Sequence, residues 1–172
     1  MFMALRRFGL ARQAKGALSP NDPDAVSKLT LSVWLTDLDA FLHMTNTRYF
    51  ELMDIASPRL LRRNGLATRA KDNGVEFLPA YANLDVHSML KLSTKYELRS
   101  HMVGADDEFV AIGHTFHSRG RSAADGTVIY RLNRTNDTPV ERATLGLEDC
   151  PYLPDEMRAW AVAGLTSGVV AT

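Results

Sequence analysis

The sequence has little cysteine, no long apolar run and no net charge, and each shortage excludes a class of protein. The single cysteine, Cys150, cannot form an internal disulfide, which fits a reducing compartment, and we predict a cytoplasmic location. No apolar run approaches the roughly 20 residues that cross a bilayer as a helix. Because 20 basic residues balance 20 acidic ones, the net charge does not indicate nucleic acid as a partner.

The first 19 residues contain no acidic side chain. Their basic residues are Arg6, Arg7, Arg12 and Lys15, and apolar residues stand among them at loosely helical spacing. Such a segment is typical of a membrane-surface helix or an organelle-targeting peptide. It also fits a helix that docks on the body of the protein, which we favour, so peripheral membrane contact through residues 1–19 stays open. A proline-containing break follows, and we therefore assign 1–23 to a basic amphipathic segment and 24–172 to one domain.

Residue patterning predicts an α+β fold for this domain. Alternating apolar residues indicate a strand at 27–34, and apolar residues three and four positions apart indicate a helix at 47–64. Further strands are predicted at 75–84, 90–102, 108–118 and 127–133, and a C-terminal helix at 154–160. Short connections between strands favour an antiparallel meander, on which the lone long helix buries its apolar face.

Three local signals refine this prediction. Asn64-Gly65 is typical of a helix end. Pro58 lies inside the predicted helix, and we expect it to kink or break the helix because proline lacks a backbone donor. Asp125-Gly126 is typical of a tight turn, which we place before the last strand.

Polar groups crowd the junction between the first strand and the helix. Two carboxylates, a histidine, an asparagine and a tyrosine lie within 13 residues. The stretch reads Asp37-Leu38-Asp39-Ala40-Phe41-Leu42-His43-Met44-Thr45-Asn46-Thr47-Arg48-Tyr49. It resembles the D-x-D-x-x-G-H-x-N-N-x-x-Y signature of hotdog-fold thioesterases of the 4-hydroxybenzoyl-CoA thioesterase type, and most closely the branch that contains thioesterase superfamily member six. The chain departs from the signature at Leu42, where the family has glycine, and at Thr45, where it has asparagine.

The resemblance implies a fold, a reaction and an assembly. The fold is the hotdog, an antiparallel sheet wrapped around one central helix, here with extra N- and C-terminal helices. The reaction is hydrolysis of a fatty or aromatic acyl-CoA thioester to the free acid and CoA, with the thioester as substrate and no cofactor. Since such a sheet leaves open strand edges, and hotdog proteins pair these edges, we expect a homodimer or a dimer of dimers with sites between subunits.

The resemblance also implies roles for single residues. Asp39 is the expected base or nucleophile, and His43 and Asn46 would orient the carbonyl or hold the loop. The start of the helix near Asn46 would supply backbone donors for an oxyanion. The expected substrate pocket consists of Leu42, Thr45, Tyr49, Met53 and Asp54. The expected CoA contacts are Ser88, Lys91 and Lys95.

Each role has a structural alternative. Asp39 fits a turn acid, His43 a hydrogen-bonded junction histidine, and Asp37 a solvated surface acid. The other histidines have no metal-ligand spacing, so we predict no metal site. The departures at Leu42 and Thr45 favour a second function, a non-catalytic acyl-CoA- or lipid-binding hotdog protein, and a third is a dehydratase on the same fold. The sequence leaves open the length of the acyl chain. It also leaves open whether the thioester is formed with CoA or with a carrier protein.

Overall fold

A computed structural model of the chain describes residues 25–134 and 140–167. Its helices are α1 (Asn46–Arg63), α2 (Leu66–Asp72) and α3 (Asp155–Ser167). Its strands are β1 (Ser27–Ser32), β2 (Val75–Val86), β3 (Lys95–Ala105), β4 (Phe109–Ser118) and β5 (Arg121–Arg134). Short 3₁₀ turns occupy Leu35–Asp37 and Arg142–Leu145. The predicted N-terminal segment at 1–23 lies outside the described residues.

The strands form one sheet that packs on the central helix α1. The strand order is β1-β3-β4-β5-β2, and every neighbouring pair is antiparallel. One face of α1 and the inward-facing residues of the sheet share a single apolar core. Its fully buried members from α1 include Tyr49, Leu52, Met53 and Leu60, and burying each such side chain contributes about 1.5–3 kcal/mol. The predicted α+β architecture, a sheet around one central helix, is therefore confirmed.

The opposite face of the sheet is partly covered by α3. Ala161 of α3 and the preceding Leu153 pack against a small apolar cluster on the strands, formed by Ala80, Phe109, Ala111 and Ile129. The ring centroids of Trp160 and Tyr81 lie 5.6 Å apart. The predicted C-terminal helix is confirmed and extends to Ser167. Between residues 25 and 134 and between 140 and 167, no helix is both long and apolar enough to cross a membrane.

Strand β5 runs straight through the predicted turn at Asp125-Gly126, so that prediction is wrong. The chain reverses earlier, at Arg119 and Gly120, whose φ angles are 50° and 81°, as a tight hairpin turn requires. Gly126 serves packing instead, because a Cβ there would lie 2.5 Å from Met53 Sδ. Glycine in this strand thus marks a close approach of the central helix rather than a reversal of the chain.

Helix α1 passes through Pro58 without a break. Proline removes one backbone hydrogen bond, but Leu52 and Leu60, one on each side of it, are fully buried against the sheet. Packing on both sides therefore holds the helix together. As predicted, the helix ends before Gly65, which has a φ of 75°. The short helix α2 that follows was not predicted.

Residues 90–94, predicted as strand, form a loop. Ser93 has a φ of 61°, which a strand does not allow. The loop pairs with the strand-to-helix junction instead, since Ser93 N donates to Val33 O (2.9 Å) and Met44 N donates to Leu90 O (2.9 Å). Two loops therefore lie side by side at one end of the sheet, and we call residues 33–45 the first loop and residues 87–94 the second loop.

Candidate active site

Asp37 is the buried anchor of the first loop. Its side chain is 1% exposed. Its carboxylate accepts a hydrogen bond from Trp34 N (2.9 Å) and lies 3.1 Å from Arg48 Nε, an ion pair. Arg48 also donates to Thr36 O (3.1 Å). The prediction of a solvated surface acid is wrong, because pairing with Arg48 lets the carboxylate be buried. Asp37 thus ties the first loop to the first turn of α1.

Asp39 closes the turn that follows. Its Oδ1 accepts hydrogen bonds from Phe41 N (2.9 Å) and His43 N (3.0 Å), and its own amide donates to His43 O (2.9 Å). The residue is exposed, and within the part of the chain that the structure describes its Oδ2 has no hydrogen-bond partner. One carboxylate oxygen therefore fixes the group in place and leaves the other available to water or a ligand.

Leu42 stands where the family has glycine, and it adopts the left-handed conformation that glycine favours. Its φ is 60°, and its amide donates to Asp39 O (3.1 Å). Leucine adopts this conformation at a cost of roughly 1–2 kcal/mol. The side chain is 62% exposed, so burial does not offset that cost.

Replacing Leu42 with glycine is therefore expected to stabilise the isolated chain by about 0.5–1 kcal/mol, because relief of the left-handed strain exceeds the extra flexibility that glycine gives the unfolded state. The melting temperature should rise by roughly 2–4 °C, as measured by calorimetry. Leu35→Gly is the control, since Leu35 is similarly exposed at 70% but has no positive φ. A melting temperature of Leu42→Gly below that of wild type would contradict the assignment of backbone strain to Leu42.

Thr45 caps the central helix. Its Oγ1 accepts a hydrogen bond from Arg48 N (3.3 Å), and its own amide donates to Asp37 O (3.0 Å). Asn46 is the first helical residue and is exposed. The amides of Asn46 and Thr47 have no acceptor inside the helix, because the first turn lacks preceding carbonyls. Together with the positive end of the helix dipole, they suit a developing negative charge.

The remaining predicted pocket residues lie along α1, on different sides of it. Tyr49 and Met53 are fully buried, while Asp54 is exposed. The Tyr49 ring meets Phe116 edge-on at 4.8 Å between centroids. Burial raises the pKa of the Tyr49 hydroxyl, and the backbone of Leu90 partly offsets that rise. Tyr49 and Met53 therefore belong to the core between α1 and the sheet, whereas Asp54 faces outward; their contact with a substrate stays a prediction.

The second loop brings one predicted CoA contact next to the first loop. His43 and Lys91 face each other in an antiparallel backbone bridge. Lys91 and Lys95 are exposed. Ser88 is half-buried, and its amide donates to Ala123 O (2.9 Å). The structure thus gathers the first loop, the start of α1 and Lys91 on one surface, while Ser88 lies near the start of the second loop and Lys95 is the first residue of β3.

A buried polar network between α1 and the sheet was missed from the sequence. His114 is 1% exposed; its Nε2 lies 2.9 Å from Ser57 Oγ and its Nδ1 3.0 Å from Ser100 Oγ. A neutral ring needs one donor and one acceptor, which two hydroxyls can supply. Burial, with a smaller repulsion from His101, lowers the pKa of His114 to about 3. The sequence did contain a signal for the burial of His114, because this residue lies in β4 two positions from both Ile112 and Phe116 and so shares their inward face.

Stability is expected to fall as the pH drops below about 6.5, because the unfolded state then binds a proton that folded His114 excludes. The loss is about 1.4 kcal/mol per pH unit for this group, or about 2.7 kcal/mol at pH 4.5, and it continues until the pH nears the folded pKa of about 3. Urea unfolding from pH 7 to 4.5 measures it. His114→Gln should flatten the slope and His117→Gln should keep it; equal slopes in all three chains would contradict the assignment.

The chain is similar to known proteins over most of its length. Residues 33–161 match the Thioesterase-like superfamily. Protein THEM6 of the zebrafish Danio rerio is 24% identical over 131 residues, covering 74% of this chain and 65% of that protein, so the match spans less than two thirds of the relative. Among solved structures, a gentisyl-coenzyme A thioesterase is 19% identical with a TM-score of 0.57, covering 69% of this chain and 96% of its own. A Streptococcus mutans UA159 protein bound to acetyl-CoA is 11% identical with a TM-score of 0.55, and the match covers 70% of this chain and 86% of that protein's chain.

These similarities confirm two of the sequence predictions. The backbone similarity supports the hotdog fold, an antiparallel sheet around one central helix. The family match begins at the first loop and ends in α3, so it contains the whole junction on which the resemblance was based. The chain therefore belongs to the thioesterase-like superfamily.

Proposed function

We propose that the chain hydrolyses an acyl-CoA thioester to a free acid and CoA. The observation that carries the proposal is the Asp39 carboxylate, fixed through Oδ1 by the amides of Phe41 and His43, with Oδ2 open, on the loop that runs directly into the start of α1. Family membership supports it. So do two structural neighbours, one a gentisyl-coenzyme A thioesterase and one bound to acetyl-CoA.

Asp39 can act as a general base. Its Oδ2 takes a proton from water, and the water oxygen bonds to the thioester carbonyl carbon. The negative charge that develops on the carbonyl oxygen is stabilised by the amides of Asn46 and Thr47, where one well-placed donor contributes about 2.7–4 kcal/mol. The carbon–sulfur bond then breaks, its electron pair goes to sulfur, and protonated Asp39 returns the proton to the CoA thiolate.

Asp39 can instead act as a nucleophile. Its Oδ2 would bond to the carbonyl carbon, CoA would leave as thiolate, and water would hydrolyse the resulting mixed anhydride. A single turnover in ¹⁸O-labelled water distinguishes the two routes, since only the nucleophilic route can place the label in the Asp39 side chain. In either route, His43 and Asn46 orient the carbonyl or hold the loop, and Leu42 and Thr45 border the site.

The test is release of free thiol from a panel of aliphatic and aromatic acyl-CoA thioesters, including a 3-hydroxyacyl-CoA. Turnover of at least one thioester above background supports the proposal. If acyl-CoA raises the melting temperature without thiol release, the chain is a binding protein instead. That alternative is motivated by the departures from the family signature at Leu42 and Thr45. Dehydration of the 3-hydroxyacyl-CoA would assign the chain to the dehydratases.

Assembly and location are part of the proposal. Strands β1 and β2 are the two edges of the described sheet, and an unpaired edge invites pairing with another chain. We therefore infer a homodimer or a dimer of dimers, which sedimentation velocity tests. Fractionation of cells expressing the full chain tests a cytoplasmic location, and deletion of residues 1–19 tests their contribution to membrane contact.

A further inference from the structure

The first turn of α1 carries a cation where helices usually carry an acid. It contains Arg48 and no acidic residue, although the positive end of the helix dipole disfavours a positive side chain there by about 0.3–1 kcal/mol. The Asp37 carboxylate offsets this cost, because its Oδ1 lies 3.1 Å from Arg48 Nε in a largely buried ion pair. Sequences break a local preference in this way mainly at functional sites.

Asp37 joins three parts of the chain through its side chain and its backbone. Its Oδ2 accepts a hydrogen bond from Trp34 N (2.9 Å), before the 3₁₀ turn, and its Oδ1 pairs with Arg48 of α1. Its carbonyl accepts a hydrogen bond from Thr45 N (3.0 Å) at the cap of α1. Arg48 Nη2 donates across the same gap to Thr36 O (3.1 Å). The two ends of the first loop are therefore joined at their base.

The Asp39 carboxylate lies a short distance along the chain from this junction. Leu38 is the one residue between Asp37 and Asp39, and it is extended, with a φ of −97° and a ψ of 151°. It also forms an antiparallel bridge with Met44 on the other side of the loop. Because two extended residues span at most about 7 Å, a displacement of Asp37 is passed on to Asp39 with little slack.

The other partner of the ion pair lies next to the proposed oxyanion donors. Arg48 follows Asn46 and Thr47 in the first turn of α1, so their relative positions are fixed by the geometry of the helix. The ion pair therefore sets the distance between the Asp39 carboxylate and these two amides. In the proposed hydrolysis both must reach one carbonyl group, the carboxylate or its water at carbon and the amides at oxygen.

The ion pair also neutralises a charge beside the site. An unpaired buried carboxylate near the start of α1 would compete with the developing oxyanion for the same positive end of the helix. Arg48 balances Asp37 at close range, so the positive end of the helix remains available to the substrate. Position and charge thus both depend on this one pair.

We propose that Asp37 and Arg48 are positioning residues for the thioester hydrolysis proposed above, on which this inference rests. They act through Asp39 rather than on the substrate, because they hold its carboxylate at a fixed distance from the oxyanion donors. A misplacement of about 1 Å between reacting groups can lower a rate by about 10²-fold. Loss of the pair is therefore expected to lower kcat and to leave KM nearly unchanged.

A double-mutant cycle tests whether the pair acts through Asp39. Asp37→Asn removes the charge and keeps an acceptor for Trp34 N, and it is expected to lower kcat by about 10- to 100-fold. In a chain that already carries Asp39→Asn, the same change should lower the residual kcat by less than about threefold, because the carboxylate that it positions is absent. Thiol release at saturating acyl-CoA measures all four chains.

Two further changes serve as control and as second variant. Glu97→Gln makes the same chemical change in the Glu97–Arg99 pair of β3 and should leave kcat unchanged. Arg48→Lys keeps the positive charge but lacks the planar group that reaches both Asp37 and Thr36 O. It should retain more activity than Arg48→Gln, and it takes the place of Asp37→Asn in the cycle should that variant not fold.

Amide hydrogen exchange measures the same positioning without turnover. The amides of Phe41 and His43 donate to Asp39 Oδ1, which protects them from exchange. In Asp37→Asn their exchange is expected to accelerate about tenfold more than that of Ile112, a buried residue of the central strand β4 that reports on global stability. A change that only weakened the fold would accelerate all three amides through global unfolding.

Each other result would overturn the inference. Equal losses of kcat with and without the Asp39 carboxylate would show that the pair supports the fold alone. Unchanged kcat in Asp37→Asn, or no extra acceleration at Phe41 and His43, would show that Asp39 is held in place without the pair. If the unaltered chain releases no thiol from any thioester, the proposed function fails instead, and the exchange rates still decide whether the pair holds Asp39.

Discussion

Asp39→Asn is expected to lower kcat for acyl-CoA hydrolysis by about 10²–10⁴, the range that a positioned acid–base group supplies. The loss should fall on kcat rather than on KM. Asparagine keeps an oxygen that can accept from the amides of Phe41 and His43, so the turn is retained, whereas the neutral amide can neither take a proton from water nor attack the carbonyl. Thiol release at saturating acyl-CoA measures the effect.

Asp72→Asn is the matched control for this prediction. Asp72 is exposed at the end of α2, so the same chemical change there should leave kcat within experimental error. Unfolding in urea should show Asp39→Asn to be folded. Full activity in a folded Asp39→Asn chain would leave Asp39 as a turn acid only and would require another base.

The sheet and the central helix could be predicted because each depends on local pattern. The spacing of apolar residues predicted α1 to within one residue at each end, and the Asn64-Gly65 signal matched the observed end of the helix. The order of polar groups in the first loop predicts a candidate site at the start of that helix, and this location stays a prediction. In these stretches the local preference and the tertiary structure agree, which is why sequence alone was sufficient.

The errors arose where a distant contact outweighs local preference. Asp125-Gly126 has the chemistry of a turn, but Met53 of α1 packs on Gly126 and keeps it in β5. Asp37 has the pattern of a surface acid, but Arg48, eleven residues later, pairs with it in the interior. Neither partner can be chosen from the sequence without knowing how the helix lies on the sheet.

Asp37→Ala is expected to destabilise the folded chain by about 3–5 kcal/mol, since it removes the buried carboxylate that pairs with Arg48 and accepts the hydrogen bond from Trp34 N. Arg48 is 13% exposed, and in this variant it keeps its contacts with Thr36 O and Glu51. The expected melting temperature is about 10 °C lower. Denaturant unfolding, with the midpoint and slope fitted separately, measures the free energy. Glu97→Ala is the control, because the Glu97–Arg99 pair is partly exposed and should cost at most about 1 kcal/mol.

Two further variants separate the contributions of the Asp37 carboxylate. Asp37→Asn can still accept the hydrogen bond from Trp34 N but lacks the charge, so it should fall between wild type and Asp37→Ala. Asp37→Leu with Arg48→Met removes both charges and should be less destabilising than the sum of the single changes, by a coupling of about 0.5–3 kcal/mol. Additive single changes would show that Asp37 acts as a cap for the 3₁₀ turn rather than as the partner of Arg48. In that case the first loop would be held to α1 by the Thr45 amide and its bond to Asp37 O, and the orientation of Asp39 would not depend on the ion pair.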